Sequence, residues 1–137
     1  MTLTYQQQWV LDAVAARAAI LDLTARHNRC YSAGDLPGWL STFRHAGASY
    51  VCGSQTFTDL RAAFDGGDGK RLITTDHEIC VDGVEATQRC VALLISGARL
   101  QATGIYDDRL IYERGGWYFA ARELAWDLVP REAAVLA

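Results

Sequence analysis

RLITTDHEICVDGVEATQRCVALLISGARLQATGIYDDRLIYERGGWYFAARELAWDL, residues 71–128, decides the fold. Side chains alternate between apolar and polar along it with period two, which predicts strands over residues 71–81, 86–96, 100–112 and 117–128. Asp82-Gly83, Gly97-Ala98 and Gly115-Gly116 punctuate the run. Connections this short cannot carry a crossover, so neighbouring strands are expected antiparallel. In the third strand Leu100, Ala102, Gly104, Tyr106, Leu110 and Tyr112 share one face, and Gln101, Asp107, Arg109 and Glu113 share the other. One face is therefore read as buried and one as wet.

Upstream the period changes. Val10, Val14, Ala18, Leu21 and Ala25, widened by Ile20 and Leu23, recur at helical spacing and predict one long amphipathic helix over residues 6–33. Gly34 is placed to end it in a left-handed cap. Asp35 then sits at an N-cap, with Pro37 in the first turn of a second helix reaching about Phe43. Residues 48–52 and Thr56-Phe57 read as short β segments, and Thr58-Asp59 as the start of a third short helix that Gly66-Gly67 stops. Helices first and strands afterwards predict an α+β fold, N-terminal helices packed on a strongly curved antiparallel sheet, as one domain over residues 1–137.

Composition narrows the function. Half the residues are hydrophobic and 21% charged, the balance of a globular domain rather than a disordered or membrane-spanning chain. The first ten residues lack the basic region and apolar run of a secretory signal, which points to a cytoplasmic protein. Cys30, Cys52, Cys80 and Cys90 contain no C-x-x-C pair, and the three histidines have no metal-ligand spacing. No metal and no cofactor are expected. A net charge of −3 with scattered arginines offers no stripe for phosphates, so nucleic acid is not an expected partner, and neither is a membrane. Twelve arginines against the lone Lys70 suit a GC-rich bacterial genome.

The order of elements, with the phrases AILDLTARHNRCYSAGDLPGWLSTF, GIYDDRLIYERGGWYFAAREL and the following AWD, resembles the SnoaL-like branch of the nuclear transport factor 2-like (NTF2-like) superfamily over roughly residues 12–128. The resemblance implies a cone-shaped helix-and-sheet roll with a pocket inside. It does not choose among the dehydratases, isomerases, cyclases, ligand binders and assembly subunits built on that scaffold. Dehydratase-like members use an aspartate and a histidine as an acid–base dyad. Aligned through RCYSAGDL and RLITTDHEI, those positions fall on Ser32 and Leu72. Neither can do a dyad's work, because serine cannot hold an imidazolium as a carboxylate does and leucine cannot move a proton.

Two residues remain as candidate catalysts. His27 falls where a dehydratase-like relative carries a pocket tyrosine and could serve as a general base; a histidine satisfied within the core is the alternative. Asp76 shares strand parity with Leu72 and Thr74 and faces the pocket unless a bulge intervenes; enclosed by apolar walls, its carboxyl would titrate high. A one-residue slip would present Ile73, Thr75 and His77 instead. Asn28 and Ser32, one helical turn apart, could orient a polar group of the substrate. Tyr50, Cys52, Leu72, Tyr106 and Trp126 are the expected pocket wall, an apolar lining suited to ring compounds. The reading is a cofactor-independent lyase, isomerase or cyclase acting on a hydrophobic, ring-containing small molecule. A non-catalytic binding protein and an assembly subunit are the alternatives. Ile105 and Ile111, apolar on the polar sheet face, add the expectation of a homodimer through the sheet.

Overall fold

The computed structural model describes residues 2–129, so parts of the expected 1–137 domain lie outside the described residues. Helix α1 spans Tyr5–Ala33 and α2 spans Leu36–Leu40; strands β1 (Ser49–Cys52) and β2 (Gln55–Phe57) follow, then α3 (Leu60–Ala63) and the long strands β3 (Lys70–Asp82), β4 (Glu85–Ser96), β5 (Arg99–Glu113) and β6 (Gly116–Leu128). Thr4 starts α1 in a capping box: its hydroxyl accepts from Gln7 N, and the Gln7 side chain accepts from Thr4 N. Gly34, at φ 71°, ends α1 in the left-handed cap, and the Asp35 carboxylate accepts from Gly38 N to start α2. The second helix stops at Leu40, short of the expected Phe43, whose backbone instead bridges to Phe119.

One six-stranded sheet runs in the order β2-β1-β6-β5-β4-β3. The four long strands are antiparallel neighbours as the short turns require, but β1 pairs parallel with β6, so the sheet is mixed. The chain reaches β1 through α2 rather than a hairpin, which frees its direction. The last hairpin turns at Arg114-Gly115, both at positive φ (53° and 77°), one residue before the expected pair. Two consecutive positive-φ residues match the right-handed twist of the flanking strands.

Helix α1 lies along the inner face of the sheet, turned so that only the Ile20 and Leu23 edge of the expected apolar stripe faces inward. The buried residues are Ala16, Ile20, Leu23, Thr24 and His27. Of the expected apolar stripe, Ile20 and Leu23 are buried as expected, Leu21 is half-buried, and Val10, Val14, Ala18 and Ala25 are exposed. Two polar residues are thus preferred in the core over two valines, because the sheet and α2 supply hydrogen-bond partners for both, which removes the cost of burying them. Among the described residues no helix is long and apolar enough to cross a membrane.

A bulge in β3 settles the strand's register. Pairing with β4 shifts between Thr75 and Glu78, and Asp76 sits at φ 54°. Leu72 and Thr74 face inward before the bulge, and His77, Ile79 and Val81 after it. The extra residue absorbs one step of the alternation, so Asp76 points out to solvent while His77 turns in.

Candidate functional site

Between the end of α1 and the sheet lies a cavity of about 280 Å³. Tyr31 reaches it from the last turns of α1, Tyr50 and Cys52 from β1, Gln55 and Phe57 from β2, and Asp65 from the loop after α3. Leu72, Leu94, Tyr106, Leu124 and Trp126 close it from the sheet. Gly104 makes room for Trp126: the two are direct cross-strand partners, and a Cβ at residue 104 would come within 2.8 Å of the indole ring. The lining is apolar except for a few donors. The Tyr31 hydroxyl donates to Asp65 Oδ1 at 2.9 Å, and the phenols of Tyr50 and Tyr106 interact through their hydroxyls.

Electrostatics keep these groups neutral. Burial first, and then the neighbouring Tyr106 phenol, pushes Tyr50 well above the ordinary phenol range. Burial does the same to Tyr106, partly offset by the Arg122 guanidinium. Tyr31 is raised by burial and by the Asp65 carboxylate. Burial and Asp65 also raise the Cys52 thiol, against a smaller opposing effect of a hydrogen bond with Trp126. At neutral pH Tyr31, Tyr50, Tyr106 and Cys52 therefore stay as O–H and S–H groups, and the charge in the lining is that of the Asp65 carboxylate. Among the described residues no cation acts on Cys52 to make it a nucleophile.

Deeper along α1 the same interlayer is sealed by polar groups that, apart from Arg122 Nη1, are committed to one another. Trp39 Nε1–H donates to His27 Nε2 at 3.0 Å, so the His27 proton is on Nδ1, which donates to Thr42 Oγ1 at 2.9 Å; Thr42 in turn donates to the Trp39 carbonyl at 2.7 Å. The rings of Trp39, Phe43 and Phe119 surround the imidazole, with centroids 5.3, 5.6 and 5.3 Å away. Burial, helped by the positive charge of Arg122, holds His27 well below its ordinary value. Beside it Arg122 Nε donates to Asp108 Oδ1 at 2.8 Å and Nη2 to Oδ2 at 3.1 Å, both side chains fully buried. The guanidinium lies 3.7 Å over the Tyr106 ring and 4.2 Å over Phe119. Burial works against its charge, but Asp108 more than compensates and holds the proton tightly. Nη1 has no hydrogen-bond partner; the two aromatic faces supply its stabilisation instead. Gln88 completes the chain, accepting from His77 Nδ1 and donating to Thr24 Oγ1 and to Asp108 Oδ2, at 2.9, 2.9 and 3.0 Å.

The candidates named from sequence thus separate. Tyr50, Cys52, Leu72, Tyr106 and Trp126 all line the cavity. His27 is locked into the sealed network with both nitrogens used, and Asp76 is outside on the bulge. Asn28 and Ser32 stitch α1 to β3 rather than facing the cavity: Asn28 Nδ2 donates to Thr74 Oγ1 at 2.8 Å, and Ser32 Oγ accepts from Leu72 N at 3.0 Å and donates to Asn28 O at 2.9 Å. The two positions where the resemblance places an acid–base dyad are therefore adjacent but chemically silent. Sequence reasoning missed Tyr31, Asp65, Asp108 and Arg122. Asp108 was legible, since it shares strand parity with Tyr106 and Leu110. Arg122 was not: a register shift at Arg109/Leu110 leaves Ala120 unpaired and turns both Phe119 and Arg122 inward.

Among the described residues no group of three or more His, Cys, Asp or Glu side chains could hold a metal ion.

Comparison with known proteins places this architecture. A protein of unknown function with a cystatin-like fold from Nostoc punctiforme superposes with a TM-score of 0.76 at 20% identity, covering 95% of this chain and 98% of that one. A Mycobacterium tuberculosis protein of unknown function gives 0.74 at 25% identity over 91% and 79%. A candidate scytalone dehydratase from Novosphingobium aromaticivorans gives 0.75 at 18% over 85% and 87%. No match is found among curated proteins. The SnoaL-like domain model matches residues 12–123, and with helices, sheet and inner cavity arranged as described, the chain belongs to the SnoaL-like domain family of NTF2-like, cystatin-like folds.

Proposed function

We propose that this chain binds a hydrophobic one- or two-ring molecule carrying an acceptor oxygen, such as a cyclic ketone or quinone, in the cavity below α1. The observation that supports this reading is the lining itself: mostly apolar walls, with the Tyr50 and Tyr106 hydroxyls as neutral polar groups deep in the cavity and the Asp65 carboxylate at its edge. Sites for small molecules pair an apolar body with a few convergent polar groups in this way. The volume of about 280 Å³ lies just below the ~300–1,000 Å³ of drug-sized pockets, which favours a small ring system over a steroid. A hydroxyl of the Tyr50–Tyr106 pair, donated to a ligand carbonyl, would hold it and stabilise negative charge developing on its oxygen.

A second reading, a lyase or isomerase of the dehydratase type, is favoured by Asp65. Its carboxylate lines the cavity, accepts the Tyr31 proton and lies 3.9 Å from Lys70 Nζ. Among the residues lining the cavity it is the carboxylate, and it would be the group to take a proton from a bound substrate. The test is a thermal-shift and calorimetric screen of cyclic ketones, quinones and their fully reduced hydrocarbons, followed by an assay of each binder for turnover. Binding of the oxygenated compounds alone, weakened about 5- to 10-fold by Tyr50→Phe or Tyr106→Phe, is expected from the loss of one neutral hydrogen bond. Equal binding of the hydrocarbons would refute the role of the phenols. Turnover abolished by Asp65→Asn would establish the second reading, and its absence with every binder would leave the first.

A further inference from the structure

Away from the cavity, basic side chains from three separate elements meet in a second pocket. It holds about 510 Å³ and lies between the segment after α2, the start of α3 and the β5–β6 hairpin. Arg44 and His45 reach it from the first, Arg61 from the second, and Glu113, Arg114 and Tyr118 from the third. The Glu113 carboxylate is already engaged: Arg44 Nε donates to Oε1 at 3.3 Å and Nη2 to Oε2 at 3.1 Å. Among the described residues no side-chain hydrogen bond or ion pair holds Arg61, Arg114 or His45. Three arginines against one glutamate leave the lining formally at +2, on a chain whose net charge is −3. A cleft lined by one sign of charge concentrates the opposite ion. The backbone of Arg114 points the same way. It holds φ at 53° in the hairpin turn, beside Gly115 at 77°, where Asn, Asp and Gly are the usual residues. Strain of this kind clusters at ligand sites.

We infer that this pocket binds a small organic phosphomonoester, with the phosphate among Arg44, Arg61 and Arg114 and the organic body against Leu40, Phe43, Leu60 and the Tyr118 ring. Charge and donor count select the phosphate. A phosphomonoester carries close to two negative charges at neutral pH and three terminal oxygens, which match the formal +2 and the forked guanidinium donors. A carboxylate brings one charge and two oxygens. The apolar part of the lining selects an organic ester over the free ion, which would leave those side chains and most of the volume unfilled. No described residue lines both this pocket and the cavity below α1, so occupancy of one is separable from occupancy of the other.

Calorimetric titration of the full chain with phenyl phosphate at pH 7.5, combined with amide chemical-shift mapping, tests the inference. Binding is expected to shift the amides of residues 41–45, 60–61 and 113–118, to be at least 5-fold tighter than that of inorganic phosphate, and to weaken as NaCl rises from about 50 to 300 mM. Arg61→Gln and Arg114→Gly should each weaken it about 10-fold, the scale of one charge-assisted hydrogen bond. Arg114→Gly should do so without lowering the melting temperature, because glycine accepts a φ of 53° freely; weaker binding by a chain at least as stable reads the lost guanidinium rather than a lost fold. No binding at millimolar phenyl phosphate overturns the inference. So do shifts confined to the cavity around Tyr50 and Tyr106, or an affinity that neither substitution changes. Equal affinity for inorganic phosphate refutes the organic body.

Discussion

The two ends of the layer between α1 and the sheet are built from similar residues and do opposite things. At one end His27, Thr42, Trp39, Gln88, Asp108 and Arg122 donate and accept among themselves. At the other, Tyr31, Tyr50, Tyr106, Cys52 and Trp126 surround about 280 Å³ of open cavity. A buried histidine and a buried ion pair are the groups most readily taken for chemistry, and here they are structural because no donor or acceptor is left for a ligand except the stacked Nη1 of Arg122. Availability, rather than reactivity of the residue type, distinguishes a site from a core. Tyr106 joins the two ends: its ring is held by Arg122 and its hydroxyl faces the cavity.

Breaking the sealed end carries the largest effect. Asp108→Ala, which strands a fully buried guanidinium, is expected to cost about 3–5 kcal/mol in chemical denaturation, whereas the double replacement Asp108→Leu/Arg122→Met should cost far less. Equal losses for the single and double variants would show that packing, not the unpaired charge, sets the cost. His27→Gln comes next, at roughly 2–3 kcal/mol, through lost hydrogen bonds and disturbed aromatic packing.

The same histidine sets a pH dependence with a definite sign. Unfolded, it takes up a proton near its ordinary value; folded, burial and Arg122 hold it well below that. The unfolded state then binds more protons as pH falls through about 6.5. Stability should be complete above that pH and decline below it, at up to ~1.4 kcal/mol per pH unit. Melting curves from pH 7.5 to 5 should show this slope in the wild type and lose most of it in His27→Gln. A slope that persists in the variant would move its origin to another group.

At the open end, substitutions should separate binding from stability. Tyr50→Phe removes a hydroxyl but keeps the ring contacts with Trp39 and Phe43, so unfolding should change by about 1 kcal/mol or less. A loss matching that of Asp108→Ala would place Tyr50 in the sealed network instead. Thiol labelling sharpens the contrast further. Cys80 is exposed and should react first with iodoacetamide at pH 7.5, with Cys52 slow and Cys90, pushed up to about 12 by burial, slowest. Rapid alkylation of Cys52 would mean that it has a thiolate-stabilising neighbour. The smallest effect belongs to Asp76→Gly, expected to be neutral or to stabilise by less than ~1 kcal/mol, since glycine accepts the φ of 54° more readily than aspartate. A large loss would give Asp76 a role that its exposed position does not provide.

The family resemblance pointed to the pocket and so to the wall residues Tyr50, Cys52, Leu72, Tyr106 and Trp126; the sequence by itself determined the element order, the four long strands and the caps at Gly34 and Asp35. Each follows from local rules: strand parity, turn chemistry and capping act over a few residues and are written in order along the chain. What only the tertiary structure decided is which residues those rules deliver to one place. One extra residue in β3 sent Asp76 outward and His77 inward, and another in β6 turned Arg122 toward Asp108. Helix α1 offered one broad apolar stripe, and which edge of it turned inward fell to the partners that Trp39, Thr42 and Gln88 provide for His27 and Thr24. A periodic pattern reports that a face is apolar, but a hydrogen-bond network depends on groups tens of residues apart, and only the folded chain brings those together.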